Sequence, residues 1–235
     1  MNASLRIELN DHLFARNPGD TEIGRRLLTE GVQLMDEIGF EHFTFKKLAQ
    51  KMGSSEATLY RYFDNKHHLL NYLVSWYWAW MLFQIAYVTP HANSPRDKMH
   101  MILQVLAGVN RTTPAVAELD DMALARIVIR EGSKSYLTHE VDQDNKAGFF
   151  QEYKKLARHI ASVVREMSPD YAYPVALVST VMEAARKQLF FAEHLPSLTE
   201  ASEFSNSPMK ICEFLEDVVF STIDGSSQRR VSLNK

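Results

Sequence analysis

The stretch TFKKLAQKMGSSEATLYRYF, residues 44 to 63, has the pattern of two short helices joined by a tight turn. Thr44 and Ser55 each precede a helical pattern, and their side-chain oxygens suit the cap at the start of a helix. Gly53 suits the left-handed position that ends one. We therefore predict a helix from residue 45 to 52, a turn, and a second helix from residue 56 to 63, which together form a helix-turn-helix.

The second predicted helix carries hydrogen-bond donors on its outer side. Leu59 and Phe63, four residues apart, point to the core, whereas the pairs at positions 58 and 62 and at 56 and 60 face outward. The outward donors are Thr58, Tyr60, Arg61 and Tyr62. A helix fits the major groove of DNA, where outward side chains reach base edges and phosphates.

The charge around this motif differs from that of the whole chain. The chain has a formal net charge of −3 and a pI near 6.3, which gives no overall attraction to nucleic acid. Between residues 44 and 68, five basic and two acidic side chains give a local net charge of +3 with histidine neutral. They are Lys46, Lys47, Lys51, Arg61 and Lys66 against Glu56 and Asp64. This local excess is what binding of double-stranded DNA requires.

The bulk composition favours an all-α protein in a reducing compartment. The 235 residues suffice for one large domain, or for a small domain and a larger one. Nine glycines and eight prolines are few for an all-β protein, and no β-alternating run is present. Cys212, the single cysteine, excludes an intramolecular disulfide and is expected in the core. The first residues lack the apolar run of a secretory signal, so we expect a cytoplasmic protein.

One segment is long and apolar enough to raise the alternative of a membrane span. Residues 69 to 88 contain no charged side chain. Against a span count the polar Asn71, Tyr72, Ser75 and Gln84, and three tryptophans in mid-segment rather than at the ends. The pattern therefore favours the central buried helix of a bundle, and no membrane partner is expected.

The helical pattern divides the chain into four parts: an N-terminal arm (1–20), a helix-turn-helix domain (21–68), a helical bundle (69–225) and a disordered tail (226–235). The first helix is predicted from Asp20 or Thr21 to Gly39, followed by loop residues Phe40 and Phe43 that plug a small core. After a long helix beginning near Asp64 or Asn65, further helices are predicted near 95–110, 115–138, 143–167, 173–194 and 208–224.

The segment GRRLLTEGVQLMDEIGFEHFTFKKLAQKMGSSEATLYRYFDNKHHLL resembles the DNA-binding domain of the TetR family of transcriptional regulators. The resemblance rests on the glycine-aromatic loop, Thr44, LAQKMG, TLYRYF and Lys66, in the family's order and spacing. It covers residues 21 to 70, and beyond them it extends only to the helical architecture. It implies a three-helix DNA-binding domain followed by a regulatory bundle in a dimer that represses transcription and responds to a ligand.

The resemblance also implies roles for individual residues. Positions matching Thr58, Tyr60, Tyr62 and Lys66 touch DNA in the family, with Tyr60 and Lys66 on phosphates, and the position of Glu56 can meet a base. An acid at position 56 departs from the usual neutral or basic residue; it would accept from a cytosine amino group or repel DNA. The residues predicted to contact DNA are Thr44, Lys46, Ser55, Glu56, Thr58, Tyr60, Arg61, Tyr62 and Lys66. Thr58 also suits a capping role, and Arg25 and Arg26 fit a solvated face as well as a phosphate clamp.

Enzymatic and metal-binding functions find no support in the sequence. A glycine-rich phosphate loop, a G-x-S-x-G motif and an H-E-x-x-H motif are all missing from it. His67 and His68 are adjacent and so point in different directions on a helix, with no third ligand near. We expect no enzyme, cofactor or metal.

The bundle is predicted to bind an effector and to form the dimer. Residues 175–191 and 211–223 carry apolar faces broader than one core contact requires, which favours pairing across a two-fold axis. Methionines and aromatic residues recur on several helices, a composition that suits a packed core and also an adaptable apolar pocket. The predicted ligand-binding residues are Trp80, Phe83, Tyr87, Leu103, Met122, Phe149, Tyr153 and Met182. The alternative is a dimeric DNA-binding regulator controlled by a protein partner, with no small-molecule effector.

Overall fold

A computed structural model describes residues 7–109, 119–202 and 207–233, with side chains through residue 226. These residues form ten α-helices and several 3-10 turns, and no β-strand occurs among them. The helices are α1 Glu22–His42, α2 Phe45–Met52, α3 Glu56–Tyr60, α4 Lys66–Val88, α5 Pro95–Ala107, α6 Asp121–Glu131, α7 Val141–Ala147, α8 Gln151–Met167, α9 Pro174–His194 and α10 Ser207–Leu233. The chain divides into two compact units, Met1–Trp80 with Thr113–Tyr153 and Met81–Thr112 with Lys154–Lys235.

In the first unit, α1, α2 and α3 enclose a small apolar core. Leu27, Val32, Leu48, Leu59 and Phe63 are fully buried in it. Phe40 and Phe43, predicted to plug this core, are buried as well. The short helices α2 and α3 depend on this burial, since helices of eight and five residues are marginal on their own.

The segment before α1 is folded onto the helix-turn-helix rather than extended as an arm. Leu13 is buried, and the backbone N–H of Ala15 donates to the carbonyl of Tyr62 at 2.8 Å. The 3-10 turn Pro18–Asp20 lies against α1 so closely that a Cβ at Gly24 would fall 2.2 Å from the Pro18 carbonyl oxygen. Residues 1–6 of the predicted arm lie outside the described part of the chain.

Helix α1 begins as predicted and ends later. Thr21 caps it, with its hydroxyl accepting from the Gly24 N–H at 3.0 Å. Gly39, the predicted end, has φ 73° and ψ 159°, and the helix resumes beyond it to His42. Such a backbone conformation is open to glycine and strained for other residues. The glycine therefore marks a kink within the helix.

Helix α4 is buried along most of its length, as the apolar pattern predicted. Its start is capped by Asn65, whose side chain accepts from the His68 N–H at 2.9 Å. The residues from Leu69 through Trp78 are all buried, including the polar Asn71 and Ser75. No helix of the described residues is long and apolar enough to cross a membrane.

Two predicted long helices are interrupted in the first unit. Of the segment near 115–138, residues 115–118 lie outside the described part of the chain, and the described part contains α6 followed by a 3-10 turn, Gly132–Ser135. The segment near 143–167 is split into α7 and α8 at Gly148, which adopts φ 85°. A residue with a positive φ interrupts the regular right-handed helix, which explains the break. The break is not visible in the sequence because the helical spacing of apolar residues continues on both sides.

In the second unit, α5, α9 and α10 pack against one another. Met99, Ile102, Leu103, Val181 and Met182 are among their buried side chains. Cys212 is buried as predicted, and burial beside Glu216 raises the pKa of its thiol to about 12. The prediction of a disordered tail from residue 226 is wrong as far as Leu233, since α10 continues to that residue. Residues 226–233 contain no proline to interrupt the helical hydrogen bonds. Residues 234–235 lie outside the description.

Candidate nucleic-acid interface

The turn between α2 and α3 is held by local hydrogen bonds at each helix end. The Thr44 hydroxyl accepts from the Lys47 N–H at 3.2 Å, and the Ser55 hydroxyl accepts from the Thr58 N–H at 3.3 Å. Gly53 ends α2 in the left-handed conformation, at φ 59° and ψ 39°. These three predictions from the sequence are confirmed, and together they fix the direction in which α3 leaves the turn.

A polar surface is exposed along the start of α2 and along α3. Its members are Thr44, Lys46, Ser55, Glu56, Tyr60 and Arg61. Tyr60 is 50% exposed and packs edge-on against Phe45, with ring centroids 5.0 Å apart. Thr58 is half-buried, and its hydroxyl lies 3.0 Å from that of Ser55, so it serves the cap of α3. We call these seven residues the α2–α3 surface.

Tyr62 does not belong to this surface, and the prediction that it faces outward is wrong. Its side chain is only 3% exposed, and its hydroxyl lies 2.7 Å from the Thr21 hydroxyl at the start of α1. The reason is that α3 ends at Tyr60, so the four-residue spacing from Thr58 no longer describes a shared face. Tyr62 supports the domain from inside.

Lys66, predicted to contact a phosphate, has partners within the chain. Its ammonium donates to the carbonyls of Phe40 at 3.0 Å and Glu41 at 3.3 Å, and lies 4.5 Å from the centre of the Phe40 ring. These contacts join the start of α4 to the end of α1. A lysine here stabilises the carbonyl end of α1, where a positive charge is favourable.

Residues 27–73 match the profile of the family described as bacterial regulatory proteins, tetR family. The match spans α1, α2, α3 and the start of α4, the elements that build the α2–α3 surface. The chain therefore carries a DNA-binding domain of the type found in TetR-family transcriptional regulators, and the helix-turn-helix predicted from residues 44 to 63 lies within it.

Similar curated proteins share part of the chain. The nucleoid occlusion factors SlmA of Mannheimia succiniciproducens and of Haemophilus influenzae are each 30% identical over 86 residues, which is 37% of this chain. The aligned region spans about two fifths of the length of these relatives: 40% of the first and 39% of the second. The similarity is thus partial.

Solved structures of other regulators share the fold over most of the chain. AibR in complex with isovaleryl coenzyme A and operator DNA superposes with a TM-score of 0.56 at 14% identity, over 83% of this chain and 98% of its own. KstR2, a ketosteroid transcriptional regulator of Mycobacterium tuberculosis, superposes with a TM-score of 0.54 at 13% identity, over 87% of this chain and 97% of its own. FadR from Bacillus halodurans, a fatty acid degradation regulator, superposes with a TM-score of 0.55 at 14% identity, over 83% of this chain and 91% of its own. At these identities the likeness establishes the fold.

The structure distributes the predicted ligand-binding residues over several places. Phe149 and Tyr153 line one cavity in the first unit, and Tyr87 lines a separate groove in the second. Trp80, Leu103 and Met182 are buried side chains, and Phe83 is half-buried with its ring stacked near that of Tyr87. Met122 is 47% exposed. Among the described residues these eight do not line a common pocket, because apolar composition alone does not separate core from cavity.

The cavity in the first unit combines aromatic rings with buried polar groups. It is lined by Asn71, Val74, Ser75, Trp78, Ser135, Tyr136, Phe149, Phe150 and Tyr153. Its volume is about 10 Å³, room for about one water molecule. Sequence reasoning missed Asn71 and Ser75 as site residues and used them only as evidence against a membrane span. The available signal was a polar residue within an otherwise apolar helix.

A polar network next to this cavity leads to α1. The Glu131 carboxylate accepts from the Phe40 N–H at 3.2 Å and lies 3.0 Å from the Lys134 ammonium. Lys134 also pairs with Glu41, which lowers the pKa of the Glu41 carboxyl below its usual value. One turn earlier in α1, the Asp36 carboxylate receives hydrogen bonds from the guanidinium groups of Arg126 and Arg130. The kinked end of α1 is therefore held by α6 and the following 3-10 turn.

Proposed function

We propose that the protein is a repressor that binds a palindromic operator as a homodimer in the cytoplasm and is released from it by a mostly apolar small molecule. The observation that carries the DNA-binding part is the α2–α3 surface: a capped, solvent-exposed helix beside a lysine-rich one, inside the region that matches the family profile. Phosphate contacts from Lys46 and Arg61 would position the domain, and base-edge contacts from Glu56 and Thr58 would select sequence.

In this proposal, residues 21–68 bind DNA, and residues 69–225 carry the regulatory and dimerisation functions. The apolar faces predicted for dimerisation lie on α9 and α10, where Val175, Met209 and Phe214 are each 43% exposed. Exposed apolar side chains along two neighbouring helices support an isologous contact between copies, since a two-fold interface uses the same surface twice.

A route by which an effector would act is the polar network at the end of α1. Ser135 and Tyr136 line the cavity and directly follow Lys134, which pairs with Glu41. A ligand that binds better to one arrangement of this segment would shift the position of α1 relative to α4 through Glu131 and Lys66. It would change operator affinity only by its differential affinity for the two arrangements, about five- to a hundredfold for ordinary coupling energies.

Selection of duplexes from a random pool tests the DNA-binding part. We expect an inverted repeat to be enriched, with an affinity that falls steeply as salt rises because bound lysines and arginines release counterions. Replacing Lys46 and Arg61 together with alanine should weaken binding to all sequences and reduce the slope of affinity against salt by roughly one for each lost phosphate contact.

Arg158→Ala is the control, since it removes an exposed positive charge from α8 in the second unit. It should leave both the affinity and the slope unchanged. A pool without an enriched repeat, or an equal loss of affinity in Arg158→Ala and the double variant, would contradict the proposal.

Light scattering tests the dimer. We expect the mass of two chains at micromolar concentration, and the mass of one chain for Phe214→Asp, because a charge in an apolar interface cannot be solvated. Leu137→Asp, at a residue of the first unit that is more exposed, is the matched control and should remain dimeric. If the natural chain has the mass of a monomer, the proposed homodimer is wrong.

A further inference from the structure

Asn71 is a buried amide with an unused acceptor. Its side chain is 5% exposed, and among the described residues no group donates a hydrogen bond to its Oδ1 atom. A buried polar atom without a partner costs free energy of about 1–3 kcal/mol. A molecule bound from outside the chain could donate the missing hydrogen bond and so offset the cost of burying Asn71.

The other polar groups of the cavity are already engaged within the chain. The Ser75 hydroxyl donates to the carbonyl of Phe149 at 2.9 Å, and the Ser135 hydroxyl donates to the carbonyl of Gly132 at 2.7 Å. Both serines are buried. A ligand in the cavity would therefore find one acceptor that requires a donor, and this acceptor fixes the orientation of whatever binds.

The remaining walls are aromatic. The rings of Trp78 and Tyr153 lie with centroids 4.9 Å apart, and those of Tyr136 and Tyr153 are nearly parallel at 8°, with centroids 6.5 Å apart. Phe149 and Phe150 complete the wall. Flat aromatic walls favour stacked and edge-on contacts with another ring. The described residues that line the cavity include no charged side chain, so a charged ligand would lose its hydration without gaining a counter-charge.

We infer that this cavity is the effector site and that the effector is a small neutral aromatic molecule with one O–H or N–H group, which donates to Asn71 Oδ1. The inference rests on the ligand-responsive function proposed above and names the chemistry of its ligand. The cavity as it stands holds about one water, so binding of an aromatic molecule requires the cavity to widen, which we propose occurs by a turn of the half-buried rings of Tyr136 and Tyr153 towards solvent. Tyr136 follows Lys134, a member of the network that holds α1, by two residues, and its ring stacks on that of Tyr153.

Calorimetric titration with phenol and toluene tests the inference on the natural chain. The two molecules have nearly the same shape, and only phenol carries a donor. We expect phenol to bind roughly tenfold or more tightly than toluene, the difference that one buried hydrogen bond makes. Asn71→Leu, which removes the acceptor at similar volume, should abolish this preference. Asn93→Leu, the same change at an exposed residue of the second unit, should retain it.

The natural chain decides the question even if Asn71→Leu does not fold. Equal affinities for phenol and toluene, or no binding of either at millimolar concentration, would overturn the inference. A preference for phenol that persists in a folded Asn71→Leu would also overturn it, because the donor would then bind elsewhere.

Operator affinity measured with and without phenol separates this inference from the proposed function. If phenol binds through Asn71 but operator affinity is unchanged, the site stands and regulation through it is wrong. If other small molecules release the operator while phenol shows no dependence on Asn71, the regulatory function stands and the assigned ligand chemistry is wrong.

Discussion

Helix α3 and the first half of α4 lie in the same unit and differ in where their polar side chains find partners. On α3, Ser55 bonds to Thr58 three residues away, and the remaining polar groups face solvent. On α4, Ser75 bonds to the carbonyl of Phe149, 74 positions away, and Asn71 Oδ1 accepts no bond from the described residues. The first arrangement is specified locally and offers a surface, whereas the second depends on the whole unit and encloses a cavity.

The largest effect should come from the core that supports the exposed helix. Phe63 is fully buried and packs edge-on against Tyr72 of α4, with ring centroids 5.4 Å apart. Phe63→Ala should lower the free energy of unfolding by about 3–5 kcal/mol, because it removes a ring and leaves a cavity. Urea denaturation measures this change. Gln50→Ala, at an exposed position of α2, should change it by about 0.5 kcal/mol or less. Similar losses in both variants would remove the distinction between core and surface.

A smaller effect is expected from the charged contact between α1 and α6. Asp36→Asn should cost about 1.5–2 kcal/mol, at the low end for charged hydrogen bonds because the Arg126 side chain is partly exposed. The control is Asp224→Asn, which breaks a pair with Arg96 in which both side chains are more than half exposed. Thermal unfolding should register the first change and scarcely the second. An equal effect would mean that the α1–α6 contact contributes no more than an exposed ion pair.

Asn71→Leu should stabilise the unliganded protein, by about 1 kcal/mol. The substitution replaces a buried acceptor that lacks a partner with an apolar side chain of similar volume. Urea denaturation of the two chains without ligand makes the comparison. A marked destabilisation would indicate that Asn71 is satisfied in the folded protein, and it would weaken the case for a ligand at this atom.

The smallest effect should come from Glu41, which is exposed, and it should depend on pH. The pKa of Glu41 lies below its usual 4.5 because of the hydrogen bond from Lys134, so the pair stabilises the fold above about pH 4.5. As pH falls through the lowered pKa, the carboxylate is protonated and that contribution is lost. The difference in melting temperature between the natural chain and Glu41→Gln should therefore be present at pH 7 and disappear in acid. A difference that grows on acidification would contradict the assignment.

The contrast between the two helices also explains what the sequence could predict. Thr44, Gly53 and Ser55 act on backbone groups within a few residues, so their roles follow from local geometry, and the all-helical fold follows from apolar spacing. The outward position predicted for Tyr62 is wrong because Tyr62 contacts Thr21 and Ala15, 41 and 47 positions earlier in the chain, and such contacts do not follow from helical spacing. The break at Gly148 was missed because the apolar spacing continues on both sides.

The candidate ligand site was predictable only in part. The predicted ligand-binding residues include Phe149 and Tyr153, which line the cavity, and also Leu103 and Met182, which are buried in the core. Sequence alone does not separate the two sets, because both are large and apolar. The polar residues that distinguish the cavity, Asn71 and Ser75, acquire meaning only when residues 135 to 153 are brought beside them. Contacts within a few residues can be predicted from the sequence, whereas contacts between residues far apart in the chain cannot.

We propose that Arg61 belongs to a surface that binds DNA, whereas Tyr62, the next residue, supports that surface from inside. The direct test measures operator affinity and unfolding free energy for Arg61→Ala and Tyr62→Phe under the same conditions. We expect Arg61→Ala to lose operator affinity about tenfold or more with its stability within about 0.5 kcal/mol of the natural chain. Tyr62→Phe should lose about 0.5–1.5 kcal/mol of stability, the value of one hydrogen bond, and retain its affinity. The reverse pattern, with Tyr62→Phe losing affinity at full stability and Arg61→Ala binding normally, would contradict the account.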